Sequence, residues 1–149
     1  MKNNRGVTLL ELILCISIIA IILSIPVFNI DVFLNLKEKN ELKEFITDIN
    51  YARNRSIIES ARHSVFLNID KNSYTIYKHT SSMPKIVKKK EFTHGIQLKS
   101  TNVRDKEIMF TQIGVPSHTG EVILKNRKGE KTKITITPVT GRVNVYYDE

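Results

Sequence analysis

Hydrophobic positions along the chain fall into three regimes. The first is a continuous apolar block: residues 12–28 carry no charge, and LILCISIIAIILSIPVF is interrupted only by Ser17, Ser24 and Pro26. No helical phase of that block has a polar face, as a helix in a soluble core would. At about 1.5 Å per residue, residues 7–28 extend about 33 Å as a helix, enough for a hydrocarbon core of about 30 Å. The second regime, residues 36–62, has apolar residues at Leu42, Phe45, Ile46, Ile49, Ala52, Ile57, Ile58 and Ala61. This spacing predicts an amphipathic helix, with Lys37, Glu38, Lys39, Glu41, Lys43 and Glu44 on its solvated side. In the third regime the period drops to two. HSVFLNID and SYTIYKH flank Asp70, Lys71 and Asn72 as a hairpin, and further strands are predicted at 85–92, 96–98, 107–111, 121–125, 132–137 and 142–147. Gly129 and Thr140-Gly141 mark two more turns. The fold class is α+β: a long N-terminal helix packed on antiparallel sheet.

Charge adds an orientation. The chain has 23 basic and 15 acidic residues, a formal net charge of +8, and all but Lys2, Arg5 and Glu11 of these lie beyond the apolar block. Lys2 and Arg5 precede the block and the next basic residue is Lys37, so the positive-inside rule places the N-terminus in the cytoplasm and the bulk of the chain outside. A cleaved secretory signal fits poorly. The block is longer than an h-region of about 7 to 15 residues, and no small-x-small pattern follows it. Pro26 falls near the exit of the span, where a kink is tolerated, and an interruption is expected around residues 26–31.

Candidate chemistry is sparse. Cys15, the single cysteine, lies inside the apolar block and reads as a small apolar membrane residue, so disulfides and zinc-finger spacing are excluded. The four histidines are scattered singly, and the chain has no nucleophile-elbow pattern, paired carboxylates or phosphate-binding glycine loop. The reading is of a protein that is not an enzyme and takes no cofactor or metal. Lys88, Lys89, Lys90, Lys125, Arg127 and Arg142 are the candidate phosphate contacts if an exported domain binds DNA. A solvated basic face accounts for the same residues, because strand alternation places charges outside.

The N-terminal junction, KNNRG followed by VTLLELILCISIIAIIL, has a short basic leader ending in Gly6, then Val7, Thr8, two leucines and Glu11. It resembles the type III signal of type IV pilins and pseudopilins. The resemblance implies that prepilin peptidase cuts after Gly6 on the cytoplasmic side, that Val7 is N-methylated, and that the apolar segment is retained. Many members begin with Phe where Val7 stands. A carboxylate within a membrane helix costs up to about 3 kcal/mol near the centre and less near the end, and is usually kept for a partner. In pilins that partner is the N-terminal amine of the neighbouring subunit, which makes Glu11 the assembly residue.

A second resemblance lies at the other end. Phe110 to Gly114 followed by GEVILKNRKGEKTKITITPVTGRVNVY is similar to the C-terminal domain of the H-type minor pseudopilins and their pilus relatives, the GspH/FimT group. It implies a pilin-like fold divided into a leader at residues 1–6, a transmembrane helix at 7–30, its amphipathic continuation at 31–62 and a globular antiparallel β domain at 63–149. The function implied is that of a minor pilin or pseudopilin in a type II secretion pseudopilus or a type IV pilus. Its partners would be other pilin subunits, the prepilin peptidase and the cytoplasmic membrane, which it crosses once. A DNA-binding minor pilin of a competence pseudopilus is the alternative. DNA-binding relatives carry a further arginine shortly after the terminal Gly-Arg, where this chain has Gly141, Arg142, Val143 and Asn144.

Overall fold

A computed structural model describes residues 6–24 and 30–147. The chain divides into two compact units, Met1–Asp31 and Val32–Glu149. The first unit contains helix α1, Leu9–Leu23. Thr8 caps it: the Thr8 backbone is extended, and its Oγ1 accepts the Glu11 N–H at 3.3 Å. Ser17 and Ser24 turn their hydroxyls back onto the carbonyls of Ile13 and Ala20, at 2.8 and 2.7 Å. Both hydroxyls are thus satisfied locally, which leaves Glu11 as the one charged side chain on an otherwise largely apolar helix surface. No residue of α1 is buried within the chain.

The 15 residues of α1 span about 22 Å. Among the described residues no helix is long and apolar enough to cross a membrane. Part of the expected span, Pro26 and most of the expected interruption at 26–31 lie outside the described residues, as does the leader before Gly6.

The second unit is built on helix α2, Ile30–Ile58, six residues longer at its start than the apolar periodicity indicated. It stops before residue 62 because Ser60 takes a left-handed conformation, φ 46°. The Ser60 N–H then reaches Ile57 O at 3.3 Å and the Ala61 N–H reaches Ser56 O at 3.2 Å. That 5→2 and 6→1 pair is a Schellman stop, with serine where glycine is usual. The stripe Leu42, Phe45, Ile49, Ala52 and Ser56 faces inward at alternating spacings of three and four.

Eight strands follow. β1 (His63–Asn68), β2 (Ser73–Lys78), β3 (Lys85–Glu91) and β5 (Glu107–Phe110) form one sheet in the order β3-β2-β1-β5. β4 (Gln97–Thr101), β6 (Gly120–Lys125), β7 (Lys131–Ile136) and β8 (Val143–Tyr147) form a second, ordered β4-β6-β7-β8. All pairings are antiparallel, with Val65 opposite Ile76 and Ile108 in the first sheet and Ile134 opposite Val122 and Val145 in the second. One core unites helix and sheets: Phe45, Ile49 and Ala52 of α2 lie with Val65, Leu67 and Ile76 of the first sheet and Val122, Leu124 and Ile134 of the second, all at 0% exposure. Phe45, Tyr74 and Phe92 form an aromatic cluster with ring centroids 4.9 to 5.4 Å apart.

Asn72 joins the two sheets. Its Nδ2 donates to Phe92 O and Ile96 O, at 3.1 and 2.8 Å, and its Oδ1 accepts the Leu98 N–H at 2.7 Å. The left-handed backbone that closes the β1–β2 turn, φ 46°, also belongs to this residue. Asparagine tolerates that conformation better than most residues.

Candidate functional site

The segment expected to be processed is the simplest part of the described structure. Gly6, Val7 and Thr8 precede the first helical residue. A Cβ built on Gly6 would meet nothing within 4 Å, and Val7 is 70% exposed. A bond in non-helical, unpacked chain is what a protease cleft can take up without unwinding a helix. Thr8-Leu9-Leu10-Glu11 has capping-box spacing, and Glu11 stands at the third helical position, near the positive end of the helix dipole. Among the described residues its carboxylate has no hydrogen-bond or ion-pair partner.

The basic candidates do not form one face. Lys88, Lys89 and Lys90 lie on β3, an edge of the first sheet. Lys125 ends β6 and Arg127 lies in the β6–β7 turn of the second sheet, while Arg142 directly precedes β8. Three of the six are bound to α2. Lys88 Nζ sits 2.9 Å from Glu44 Oε1 and 2.7 Å from Asp48 Oδ2. Lys90 Nζ is 3.0 Å from Glu44 Oε2, and Arg127 Nε is 2.5 Å from Glu38 Oε1. Lys89 makes only a loose pair with Glu91, at 3.9 Å.

These pairs correct the reading of α2 as a helix whose charges face solvent. Glu38 and Glu41 are 4% and 5% exposed, and Asp48 is 7% exposed. Each has partners that make burial tolerable. Glu38 has Arg127. Glu41 accepts the backbone N–H of Thr93 at 2.6 Å and that of His94 at 3.2 Å. Asp48 has Lys88 and accepts the Tyr74 hydroxyl at 2.6 Å. Burial first, and then this hydrogen bond, push the Tyr74 phenol far above its ordinary value. The Glu44 carboxyl is held below its ordinary range by Lys88 and then Lys90, against a smaller opposing effect of burial. Burial opposes charge on Lys88, but Asp48 and Glu44 outweigh it and raise its pKa. Glu38, Glu41, Glu44 and Asp48 are therefore latches between the helix and both sheets.

The sequence held one signal for this arrangement. Glu38 lies four and seven residues before Leu42 and Phe45, Glu41 four before Phe45, and Asp48 three after Phe45 and four before Ala52, all at the spacing of the buried stripe. Arg53, half-buried on α2, carried no comparable signal. Its Nε donates to Gly114 O at 3.2 Å, at a crossing where a Cβ on Gly141 would come within 2.8 Å of the same oxygen. Glycine is required there by space and by φ, +63°.

The described residues combine an apolar N-terminal helix behind an exposed glycine junction with a second unit in which a helix packs on two antiparallel sheets. The prokaryotic N-terminal methylation motif matches residues 1–25 of the chain. Among solved structures, the minor pseudopilin EpsH from the type 2 secretion system of Vibrio cholerae is similar at a TM-score of 0.60 and 11% identity, over 73% of this chain and 95% of that one. The type IV minor pilin FimU of Pseudomonas aeruginosa (strain PAO1) is similar at 0.59 and 15% identity, over 76% of this chain and 92% of its own. A second crystal form of FimU gives 0.55 at 14% identity, over 72% and 91%. No curated protein matches the sequence significantly. The chain thus carries a prepilin-type methylation motif and has the α+β fold of the minor pilins.

Proposed function

We propose that this chain is a minor pilin or pseudopilin, a structural subunit cut between Gly6 and Val7 by a prepilin peptidase, N-methylated at Val7 and assembled into a type II secretion pseudopilus or type IV pilus. The observation that carries the reading is the methylation motif at residues 1–25 joined to a minor-pseudopilin fold. Before assembly the subunit resides in the cytoplasmic membrane as a single-pass protein, its N-terminus cytoplasmic and its second unit outside. The aliphatic surface of α1 supports this, since Leu9, Ile16 and Ile21 are 80%, 58% and 68% exposed within the chain and need lipid or other helices around them. Glu11, unpartnered among the described residues, supports pairing with a neighbour's N-terminal amine. The alternative, a DNA receptor of a competence pseudopilus, draws less support, because Lys88, Lys90 and Arg127 are committed to carboxylates of α2.

Intact mass of the membrane-extracted protein tests the proposal. Cells with an active prepilin peptidase should yield a chain beginning at a methylated Val7, and Gly6→Val should leave the leader attached. A wild-type chain still beginning at Met1, or beginning beyond Phe28, overturns it.

A further inference from the structure

Three segments meet beside the C-terminal part of α2, and their meeting point has a composition found at none of the ion pairs above. Arg53 and Ile57 come from the helix, Gly114 from the β5–β6 connection and Gly141 from the β7–β8 connection. A Cβ on Gly114 would strike Ile57, and one on Gly141 would press on Gly114 O and the Arg53 guanidinium. An open cleft of about 700 Å³ lies here, lined by Arg53, Arg142, Asn50, Thr140 and Asn144 among others, and none of its lining residues is acidic. Among the described residues neither guanidinium has a carboxylate within ion-pair distance. Arg53 is only partly used, through Nε to Gly114 O.

Next in the chain to residues of this crossing or of the cleft lining are aliphatic side chains that the fold leaves exposed: Ile58 after Ile57, Ile113 before Gly114 and Val139 before Thr140, at 72%, 76% and 77% exposure. Val139 also carries strain. Its φ is +69°, and the Thr140 N–H closes back onto Pro138 O at 2.7 Å. This is a γ-turn of the rare hand, on a β-branched residue for which such a φ is an outlier. Strain of that kind, holding an aliphatic side chain in solvent, is typical of binding surfaces.

Two unneutralised guanidiniums flanked by exposed aliphatics fit a carboxylate set among apolar side chains. Nucleic acid is a poorer fit, because a phosphate backbone gives nothing to the aliphatic rim and is held by many cations rather than two. A second copy is also a poorer fit, because the chain's own charge is +8. We propose that this cleft docks a neighbouring pilin-type subunit of different sequence, with Arg53 and Arg142 gripping an Asp or Glu and Ile113 and Val139 packing beside it. The inference rests on the reading of the chain as a filament subunit and names the chemistry of one neighbour.

The test uses the full chain in its own cells, with a photo-crosslinking amino acid at Val139 and the crosslinked peptides identified by mass spectrometry. The expected product joins position 139 to another pilin-type subunit, within a few residues of an Asp or Glu. Arg142→Glu should lower its yield about tenfold or more, Arg142→Gln should lower it less, and Arg142→Glu combined with Arg at the partner acid should restore it. Arg142 is exposed, so these variants should accumulate as mature protein, and Lys71→Glu, on the β1–β2 turn, should leave the yield unchanged. A crosslink insensitive to Arg142→Glu overturns the inference, as does capture of DNA, of lipid, of a second copy, or of nothing. N-terminal mass and filament incorporation are read from the same cells. An unprocessed wild-type chain overturns the function itself, whereas a processed and incorporated chain without the charge-dependent crosslink overturns only the docking site.

Discussion

Arg127 separates a structural role for the basic residues from a nucleic-acid role, and its removal has a consequence that can be estimated. The Glu38 side chain is 5% exposed and Arg127 Nε lies 2.5 Å from it. The other contact between the two residues is the Arg127 backbone N–H, at 3.3 Å. Arg127→Ala therefore leaves a buried carboxylate with one weak donor. Removing one member of a fully buried pair costs about 3–5 kcal/mol. Arg127 is itself 34% exposed, so water can follow it out and rehydrate Glu38, which reduces the expected loss to about 2 kcal/mol. With a urea m-value of about 1.5 kcal/mol/M, the midpoint should fall by about 1.3 M. Arg127→Lys should lose roughly half as much, because an ammonium keeps the charge but not the planar geometry. Glu38→Gln should soften the effect of Arg127→Ala by about 1 kcal/mol in a double-mutant cycle, since an amide is cheaper to leave unpaired than a carboxylate. The measurement is urea unfolding of the unit Val32–Glu149 by far-UV circular dichroism at pH 7. An unchanged midpoint for Arg127→Ala would refute the latch and return Arg127 to the pool of free surface cations.

Glu11→Ala should be processed normally but recovered poorly in sheared filaments, and equal recovery with wild type would reduce Glu11 to a helix-end residue. Acid should loosen the Glu44 latch. Its folded pKa is depressed below 4.5, so the stability it contributes is present above that value and is lost as pH falls through the folded one. Urea midpoints at pH 7 and pH 3 should therefore differ less for Glu44→Gln than for wild type, and equal differences would show that Glu44 is not a source of acid sensitivity. Duplex DNA should bind the unit Val32–Glu149 weakly, with affinity falling steeply with salt and little dependence on sequence. Changing Lys88, Lys89, Lys90, Lys125, Arg127 and Arg142 to Gln should matter little at physiological salt. Tight wild-type binding lost in that variant, with loss of DNA uptake, would favour the competence reading.

Local rules account for most of what was legible in the sequence. An apolar run without a polar phase, a basic leader ending in glycine, and a period that changes from 3.6 to 2 at residue 63 depend on neighbours a few residues apart. The three hairpin turns and the predicted strands follow from them, with strand ends displaced by up to three residues. The end of α2 was less legible, because a serine in place of glycine at the stop gave no warning. For the candidate site, the motif behind the proposed processing junction is linear: Gly6, Val7, Thr8 and Glu11 fall within six consecutive residues.

The basic residues belong to the other category. Lys88 and Asp48 are 40 positions apart and Arg127 and Glu38 are 89 apart, and no periodicity relates a strand lysine to a helix carboxylate at such separations. A charge in sequence reads as solvated because burial without a partner is costly. Only the packing of α2 against two sheets supplies the partners, which turn Glu38, Glu41 and Asp48 inward and neutralise three of the six expected phosphate contacts. Packing also brings Arg53, Gly114 and Gly141 to one point and, among the described residues, leaves Arg142 beside them without an acid. The sequence by itself thus determined the elements through local chemistry, and it carries the methylation motif as a linear pattern. Which charges are latches and which remain open to a neighbour was decided by tertiary structure, because ion pairing depends on distance in space.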